Sequence, residues 1–466
     1  MKVIFFVIIA VLVGITFYLS GSVKKGNDFL VPSGGLPVIV VAFSLAATQF
    51  GSSILIGGVQ LAQMQPTGQG FWPAIYTLIA ASLSCFLASF VAPRYRTFGE
   101  SVTPPDFVQV RYGKSRFMRT YHTVVYVCSV TSILVSQLVG FANIGTVAGF
   151  QYEFLIILGA TVVCLLALGS GMLGISVTDT IQYALILILL LLSTKFSLNS
   201  LSSVGLSFRD VFSEEFFPSA DMKGKFFYIA IPMFIGNLLN YEYFMRFMSC
   251  KGIKEARKAT ILAGVILAAA AVPVALLGSV SNYMYQGSDN ATVFGQMITN
   301  EMPYSIRIAL IVTVLMAILT TADGMLTSIS GMISRDIYGG IMHPDVPAAQ
   351  LPHTRKVARI TIVVFSIVAA IFALRFTEIL KITFYFSPLT GGVMFAPMIV
   401  GLFWKRASSK GAIASLICAA SAGILHLTGI ITLFDRVAGP ALIGTAVMII
   451  VSLIFPDNKE LKSEDR

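Results

Sequence analysis

The sequence has little charge for its length. Asp, Glu, Lys and Arg make up 12% of its 466 residues, whereas soluble domains carry about 25% charged residues. Hydrophobic residues reach 56% and form runs of roughly 20 residues, the length with which a helix crosses a hydrocarbon core. The ten-residue alternating segments of a membrane β-barrel are missing. The composition therefore excludes a soluble globular protein and predicts an all-α polytopic membrane protein.

Histidine and cysteine are also scarce. The four histidines and five cysteines are scattered, with no HExxH or CxxC spacing. We expect no metalloenzyme centre, and a membrane-embedded enzyme is only a remote alternative. The net charge of +10 is typical of basic cytoplasmic loops in a polytopic protein. We therefore expect the lipid bilayer, and no nucleic acid, as a partner.

Hydropathy predicts thirteen transmembrane helices. They lie near residues 3–20, 38–63, 72–92, 121–147, 153–169, 174–194, 226–247, 259–285, 304–334, 358–374, 379–403, 411–430 and 437–455. Lys24 and Lys25 follow the first apolar run, whereas a signal peptide has its positive charge in front. The first span is therefore interpreted as an uncleaved helix with its N-terminus outside.

From that start, the predicted cytoplasmic loops are the basic ones. Their clusters are Arg94, Arg96, Arg111, Lys114, Arg116 and Arg119; Arg246, Lys251, Lys254, Arg257 and Lys258; Arg335, Arg355, Lys356 and Arg359; and Lys405, Arg406 and Lys410. This distribution agrees with the positive-inside rule. We expect a multi-pass protein of the plasma membrane, a bacterial inner membrane, with a cytoplasmic C-terminus.

Spans two to six and seven to eleven form two groups of five. Because five is odd, the second group runs opposite to the first, as in the inverted repeats of transporters. The predicted organisation is an N-terminal extra helix (1–25), a first five-helix repeat (37–195), an extracytoplasmic connector (196–225), a second repeat (226–404), two C-terminal helices (405–456) and a cytoplasmic tail (457–466).

The first helix of the first group, AFSLAATQFGSSILIGGVQLAQ (42–63), is rich in glycine and polar residues. Gln49, Ser52 and Ser53 stand at i, i+3 and i+4, on one helix face. A break near 47–51 would free backbone carbonyls, which is tolerated at membrane depth only where they line a cavity or bind something. The alternative is a small-residue face for helix packing.

The first helix of the second group, FFYIAIPMFIGNLLNYEYFMRFMSC (226–250), carries Pro232 and Gly236. Proline in a helix interior costs about 3 kcal/mol, so we predict unwinding near 232–237. Two corresponding interrupted helices indicate a transporter site at the midplane. Asn237 alternatively forms only an interhelical hydrogen bond.

The stretch AILTTADGMLTSIS (317–330) places hydroxyls and a carboxylate in an apolar span. Ala317, Thr320 and Thr321 stand at i, i+3 and i+4, so one carbonyl and two hydroxyls can converge. Oxygen ligands without a carboxylate suit Na⁺ better than Ca²⁺. Asp323 is a functional candidate, since a charge at membrane depth is costly. Alternatively, the hydroxyls bond to i−4 carbonyls and Asp323 pairs with an arginine.

Asp179, in VTDTIQ, is a second intramembrane carboxylate. It stands near the predicted cytoplasmic end of its span. A functional role and a role as a helix N-cap are equally compatible with that position.

Five segments in this order resemble motifs of the sodium:solute symporter family. They are SVTPPDFVQVRYG, VTDTIQ, YFMRFMSCKGIKEARKA, TTADGMLTSISGMISRDIY and GLFWKRASSKGA. The resemblance runs nearly end to end and implies a LeuT-type fold built on a five-plus-five inverted repeat. It also implies a main sodium site formed by Ala47, Phe50, Ala317, Thr320 and Thr321. Some members bind a second sodium through the Asp that matches Asp179, but Asp323 stands here where a hydroxyl is expected.

The resemblance implies a sodium-coupled secondary active symporter that imports a small polar organic solute by alternating access. An amino acid, a carboxylate and an acidic sugar are all compatible, with Na⁺ as the coupling ion. The solute cavity is expected to be bounded by Thr48, Gln49, Ser52, Ser53, Gln137, Gly236, Asn237 and Asn240. The alternative is a proton-coupled or uncoupled carrier on the same fold that uses Asp179 and Asp323.

Overall fold

The computed structural model describes residues 2–21, 35–98, 103–205, 207, 209, 219–288, 293–346, 351–375, 388–433 and 435–457. Within these ranges the chain is helical and contains no strand, only one isolated bridge between Leu36 and Cys250. The first eleven helices are α1 (Lys2–Gly21), α2 (Val38–Gln49), α3 (Ser52–Gln63), α4 (Phe71–Arg96), α5 (Pro104–Tyr112), α6 (Arg116–Val147), α7 (Tyr152–Ser200), α8 (Ala220–Leu238), α9 (Tyr241–Ser249), α10 (Ile253–Met284) and α11 (Val293–Glu301). They are followed by α12 (Tyr304–Gly331) with a π-helical extension (Met332–Met342), α13 (Thr354–Ala373), α14 (388–403, mixed α and π), α15 (Ser409–Leu427) and α16 (Ala438–Ile454).

Eight apolar helical segments of the described part are long enough to cross a membrane, two of them within α7, or nine if the bent pair α2 and α3 is one span. The all-helical membrane architecture predicted from composition is therefore confirmed. The count of thirteen stays a prediction. Part of the predicted span 379–403, residues 206, 208 and 210–218 of the predicted connector (196–225) and the tail after residue 457 lie outside the described residues.

The predicted fifth and sixth spans belong to one helix. The chain stays helical from Tyr152 to Ser200, and its two apolar windows are Tyr152–Gly169 and Asp179–Phe196. The residues between the windows include glycines but no proline. Because glycine costs only about 1 kcal/mol in a helix, it does not by itself end one. The two windows agree with the two predicted spans, and the junction between them is helical.

The first broken helix is confirmed. Phe50 (φ −96°, ψ 53°) and Gly51 (φ −92°, ψ −166°) separate α2 from α3, and the pair is bent by 41°. A Cβ on Gly51 would lie 2.7 Å from Gln137 Oε1 of α6. Glycine is therefore what lets the α6 side chain approach the break so closely.

The second break lies elsewhere than predicted. Helix α8 runs through Pro232 and Gly236 to Leu238, so the unwinding predicted near 232–237 is wrong. The interruption is at Leu239 and Asn240, whose amides donate to Gly236 O and Asn237 O at 3.2 Å each. Asn240 Oδ1 accepts from Glu242 N at 2.8 Å and caps α9. A good N-cap, rather than the proline, determines where the helix restarts.

Helix α12 occupies the centre of the bundle. It packs against α6 and α7, and every residue from Thr313 to Gly331 is buried. The polar side chains of this stretch are therefore shielded from lipid and from bulk solvent. Since buried polar groups need hydrogen-bond partners, each polar side chain in this stretch of α12 is expected to have one.

Candidate cation and solute site

The main predicted cation ligands come together where α12 passes the break between α2 and α3. Thr320 Oγ1 and Thr321 Oγ1 each donate to Ala317 O at 3.0 Å. Thr321 Oγ1 also lies 3.5 Å from Ala47 O of α2. Phe50 N donates to the same Ala47 carbonyl at 3.0 Å. The structure thus joins a carbonyl of the broken helix to a carbonyl and two hydroxyls of α12.

These oxygens are spaced as neighbouring ligands of one cation. Hard cations such as Ca²⁺ bind oxygens at about 2.3–2.6 Å, and Na⁺ has nearly the same ionic radius. Threonine hydroxyls can rotate so that they offer lone pairs instead of donating. The described residues contain no group of three or more His, Cys, Asp or Glu that could hold a metal ion. The neutral oxygen set therefore suits a monovalent cation.

Asp179 lies in the interior of α7, which begins 27 residues earlier at Tyr152. The alternative role of this residue as a helix N-cap is therefore wrong. Its Oδ2 atom accepts from Ser44 Oγ at 2.5 Å and from Arg246 Nη2 at 3.2 Å. Asp179 is 1% exposed, so this ion pair is shielded from solvent.

Arg246 is a functional residue that the sequence analysis assigned wrongly. It was grouped with the charges of a cytoplasmic loop, but α9 packs against α2 and α12, and the side chain is only 2% exposed. Its guanidinium donates to Ser44 Oγ (2.8 Å), Asp179 Oδ2 (3.2 Å) and Glu242 Oε2 (3.1 Å). The i, i+4 spacing of Glu242 and Arg246 on one helix was the only sequence signal for this network.

Glu242 connects the network to α12. Its Oε1 atom accepts from Ser328 Oγ at 3.1 Å, and the residue is fully buried. A Cβ on Gly324 would lie 3.3 Å from that oxygen. The network therefore ties α2, α7, α9 and α12 together directly beside the candidate cation ligands.

Asp323 is buried in the same region. Its Oδ1 atom has no hydrogen-bond partner in the described part of the chain. Asp179 and Glu242 thus share the Arg246 guanidinium, whereas Asp323 is paired with no cation in the described part. Because buried charges must be paired or neutralised, this region has room for a further positive charge, either a cation or a proton.

The predicted solute residues around the first break are largely bonded to protein. Gln137 Oε1 accepts from Ser52 N at 2.8 Å, and Ser52 Oγ donates to Ser136 O at 3.0 Å. Thr48 Oγ1 donates to Ser44 O at 2.8 Å, and Gln49 is half-buried. The side chain of Ser53 lies outside the described residues. Gln137 therefore accepts from the first amide of α3, and Ser52 joins α3 to α6.

The predicted solute residues around the second break differ in whether their side chains are hydrogen-bonded to protein. Asn237 is 6% exposed, and its Nδ2 atom lacks a partner among the described residues. Among the described residues beyond its own helix, no atom lies within 4 Å of the position that a Cβ on Gly236 would occupy. The Asn240 side chain caps α9. The Asn237 amide donor is therefore buried and unpaired among the described residues.

Comparison with known proteins gives a consistent result. The model of the sodium:solute symporter family matches residues 29–419. The chain is 26% identical over 419 residues to the high-affinity proline transporter PutP of Bacillus subtilis (strain 168), covering 86% of this chain and 86% of that protein. It is 25% identical over 481 residues to a sodium/proline symporter of Escherichia coli (strain K12), covering 97% and 93%.

The fold is similar to those of solved transporters. A Na⁺-coupled sialic acid symporter in a substrate-bound outward-open state aligns with a TM-score of 0.76 at 17% identity, over 97% of this chain and 98% of that chain. Mhp1, a nucleobase-cation-symport-1 family transporter, aligns in a closed conformation with a TM-score of 0.57 at 13% identity, over 94% and 99%. At these identities the likeness shows a shared fold.

Proposed function

The chain belongs to the sodium:solute symporter family, and we propose that it imports a small amino acid together with sodium across a bacterial inner membrane. Its named relatives are transporters, so the protein is a transporter rather than an enzyme. In this proposal the N-terminus lies outside and the C-terminus in the cytoplasm. The domain organisation is the inverted repeat expected from the sequence.

One observation carries the proposal: Ala47 O of the broken helix faces the Ala317 carbonyl and the Thr321 hydroxyl of α12. A sodium ion bound by these oxygens, with Thr320 and Phe50 completing the set, would hold the break against α12. A ligand shifts a conformational equilibrium only through its different affinity for the two states. A site divided between two elements provides that difference, because separating the elements disassembles it.

The buried Asn237 amide, whose Nδ2 atom has no partner among the described residues, supports a carboxylate-bearing solute such as an amino acid. An amide N–H can donate to a carboxylate, and the N-termini of half-helices favour anionic groups in transporters of this kind. Two relatives are named as proline transporters, which makes proline the first solute to test. Other carboxylates and acidic sugars follow as alternatives.

The transport cycle follows from this arrangement. Sodium first ties α2 and α12 together, the solute then occupies the midplane between the breaks, and rocking of one helix bundle against the other opens the cytoplasmic side. An inward-moving positive charge gains about 2.3 kcal/mol per 100 mV, which corresponds to roughly fifty-fold accumulation of the solute.

Uptake of radiolabelled proline into proteoliposomes tests the proposal. We expect accumulation with an inward sodium gradient and none with potassium in its place; equal uptake in the two salts would refute sodium coupling. A parallel thermal-shift screen with and without sodium identifies solutes that stabilise the folded state. If proline fails while a non-amino-acid carboxylate or an acidic sugar raises the melting temperature, the amino-acid assignment is wrong.

The unpaired Asp323 Oδ1 favours a second candidate, a proton-coupled carrier that uses Asp179 and Asp323. Uptake driven by an inward proton gradient in sodium-free buffer would support it. Uptake that requires sodium and is indifferent to a proton gradient would exclude it.

A further inference from the structure

A row of unpaired buried polar atoms runs along α12 beyond the cation ligands. Asp323 Oδ1, Thr327 Oγ1 and Ser330 Oγ have no hydrogen-bond partner among the described residues. These residues stand at i, i+4 and i+7, on one face of the helix. Neighbouring hydroxyls behave differently, because Ser328 donates to Glu242 and Ser334 donates to Ser330 O. The unpaired atoms are therefore confined to one face.

Two tyrosines from other helices join the row. The hydroxyls of Tyr126 (α6) and Tyr241 (α9) are buried without a partner in the described part, and the two rings are 5.7 Å apart. A Cβ on Gly331 would lie 3.8 Å from Tyr241 Oη, so this hydroxyl reaches α12 next to Ser330. Three helices thus contribute unpaired hydroxyls.

An ion cluster stands at the far end of the row. Asp336 Oδ1 accepts from Thr103 Oγ1 at 2.9 Å and from Arg119 Nη2 at 3.2 Å. Arg119 and Arg335 both pair with Asp106, at 2.8 and 3.2 Å. Asp336 Oδ2 is unpaired in the described part, and Asp336 interacts electrostatically with Tyr241. In the predicted orientation this cluster lies at the cytoplasmic side.

The row is long enough to connect the candidate cation site with the ion cluster around Asp336. Thr321 and Asp336 are 15 residues apart on a continuous helical segment, which corresponds to about 22 Å. Buried polar groups are normally bonded to protein or to ordered water. Several unpaired oxygens on facing helices therefore point to occupancy by waters or by an ion passing through them.

We propose that this row, Asp323, Thr327, Ser330, Tyr241 and Tyr126, is the path by which sodium leaves the cation site for the cytoplasm, with the cluster around Asp336 as its exit. The inference rests on the proposed sodium-coupled function. Neutral hydroxyls suit such a path, because conduction needs ligands that replace hydration without holding the ion tightly. Asp323, next to the cation ligands, is the first oxygen on the way out.

The double variant T327V/S330A tests the path. Valine has the shape of threonine, so the two changes remove hydroxyls with little change in volume. We expect sodium binding measured with ²²Na⁺ to change less than twofold, while sodium-driven turnover in proteoliposomes falls at least tenfold. The matched control is T313V/S415A, which removes buried hydroxyls that bond within their own helices, to Ala309 O and Ala412 O.

Labelling of S330C gives a second measurement that does not depend on transport. A small cationic thiol reagent applied to inside-out vesicles should modify this residue, with the site identified by peptide mass spectrometry, and sodium without solute should slow the reaction. Wild-type turnover in the double variant, or an unreactive S330C from the cytoplasmic face, would overturn the path. Absence of sodium dependence in the wild-type protein would instead overturn the proposed function.

Discussion

At the scale of single residues, the hydroxyl of Thr321 is the group shared by the two halves of the candidate sodium site. It contacts Ala317 O of its own helix and Ala47 O of α2. We predict that Thr321→Ala weakens sodium binding about ten- to a hundredfold, since contacts with charged groups contribute about 1.5–3 kcal/mol. The measurement is the sodium concentration for half-maximal uptake, and Thr321→Ser should stay near wild type. An unchanged sodium dependence in the alanine variant would remove Thr321 from the site.

A second prediction for a single residue concerns Arg246. Replacing it by glutamine leaves Asp179 and Glu242 without their buried counter-ion, and breaking such a pair costs about 3–5 kcal/mol. We expect Arg246→Gln to lower the unfolding temperature in detergent substantially, and E242Q/R246Q to recover part of the loss because one uncompensated charge is removed with it. A double variant no more stable than the single one would contradict the pairing.

The sequence predicted the local part of this site and missed the distant part. The convergence of Ala317, Thr320 and Thr321 follows from helix periodicity alone. Ser44, Asp179 and Arg246 are separated by 135, 67 and 202 residues in their pairings. Nothing in a single sequence identifies which of many polar residues will meet after folding. Only Glu242, one turn from Arg246, was visible as a partner.

At the scale of elements, the break between α2 and α3 depends on Gly51. We predict that Gly51→Ala abolishes most uptake, because the new Cβ would displace Gln137, the acceptor for Ser52 N. The control is Gly58→Ala on α3, where the nearest atoms lie at 3.8 and 3.9 Å and the added methyl meets ordinary contacts. Uptake by the two variants should be compared at equal protein in the membrane; equal activity would show that the break tolerates a side chain.

The second interruption shows why element boundaries were harder to predict. Pro232 and Gly236 are the local helix breakers, yet α8 continues through both to Leu238. Packing of α8 against α4 compensates for the low intrinsic helix propensity of these residues. The Asn240 cap was readable in the sequence as Asn followed closely by Glu242, but it competed with a stronger proline signal.

At the scale of the whole molecule, the proposed cycle moves net positive charge when one sodium accompanies a zwitterionic solute. An inside-negative potassium diffusion potential of 100 mV should therefore raise accumulation up to about fifty-fold. Uptake by proteoliposomes with and without valinomycin measures this effect. Accumulation that ignores the potential would exclude a cycle that carries one net charge.

Composition was sufficient to predict the class of architecture, since few charges and long apolar runs leave little choice beyond a helical bundle. Composition did not determine the number of helices. Apolar windows define how much chain can enter the membrane, but α7 shows that two windows can belong to one continuous helix. Hydropathy alone does not distinguish two apolar windows in one helix from two windows in separate helices.

The burial of α12 from Thr313 to Gly331 has a consequence for how this protein tolerates substitutions. Helix α13 presents Val363, Val364, Ile367 and Ile371 to its surroundings, so a substitution scan there should alternate between tolerant and sensitive positions with the helical period. From Thr313 to Gly331 no such tolerant stripe is available. Substitutions in that segment must then be accompanied by compensating substitutions in the helices that contact it. A change of coupling ion would therefore require substitutions in several helices together.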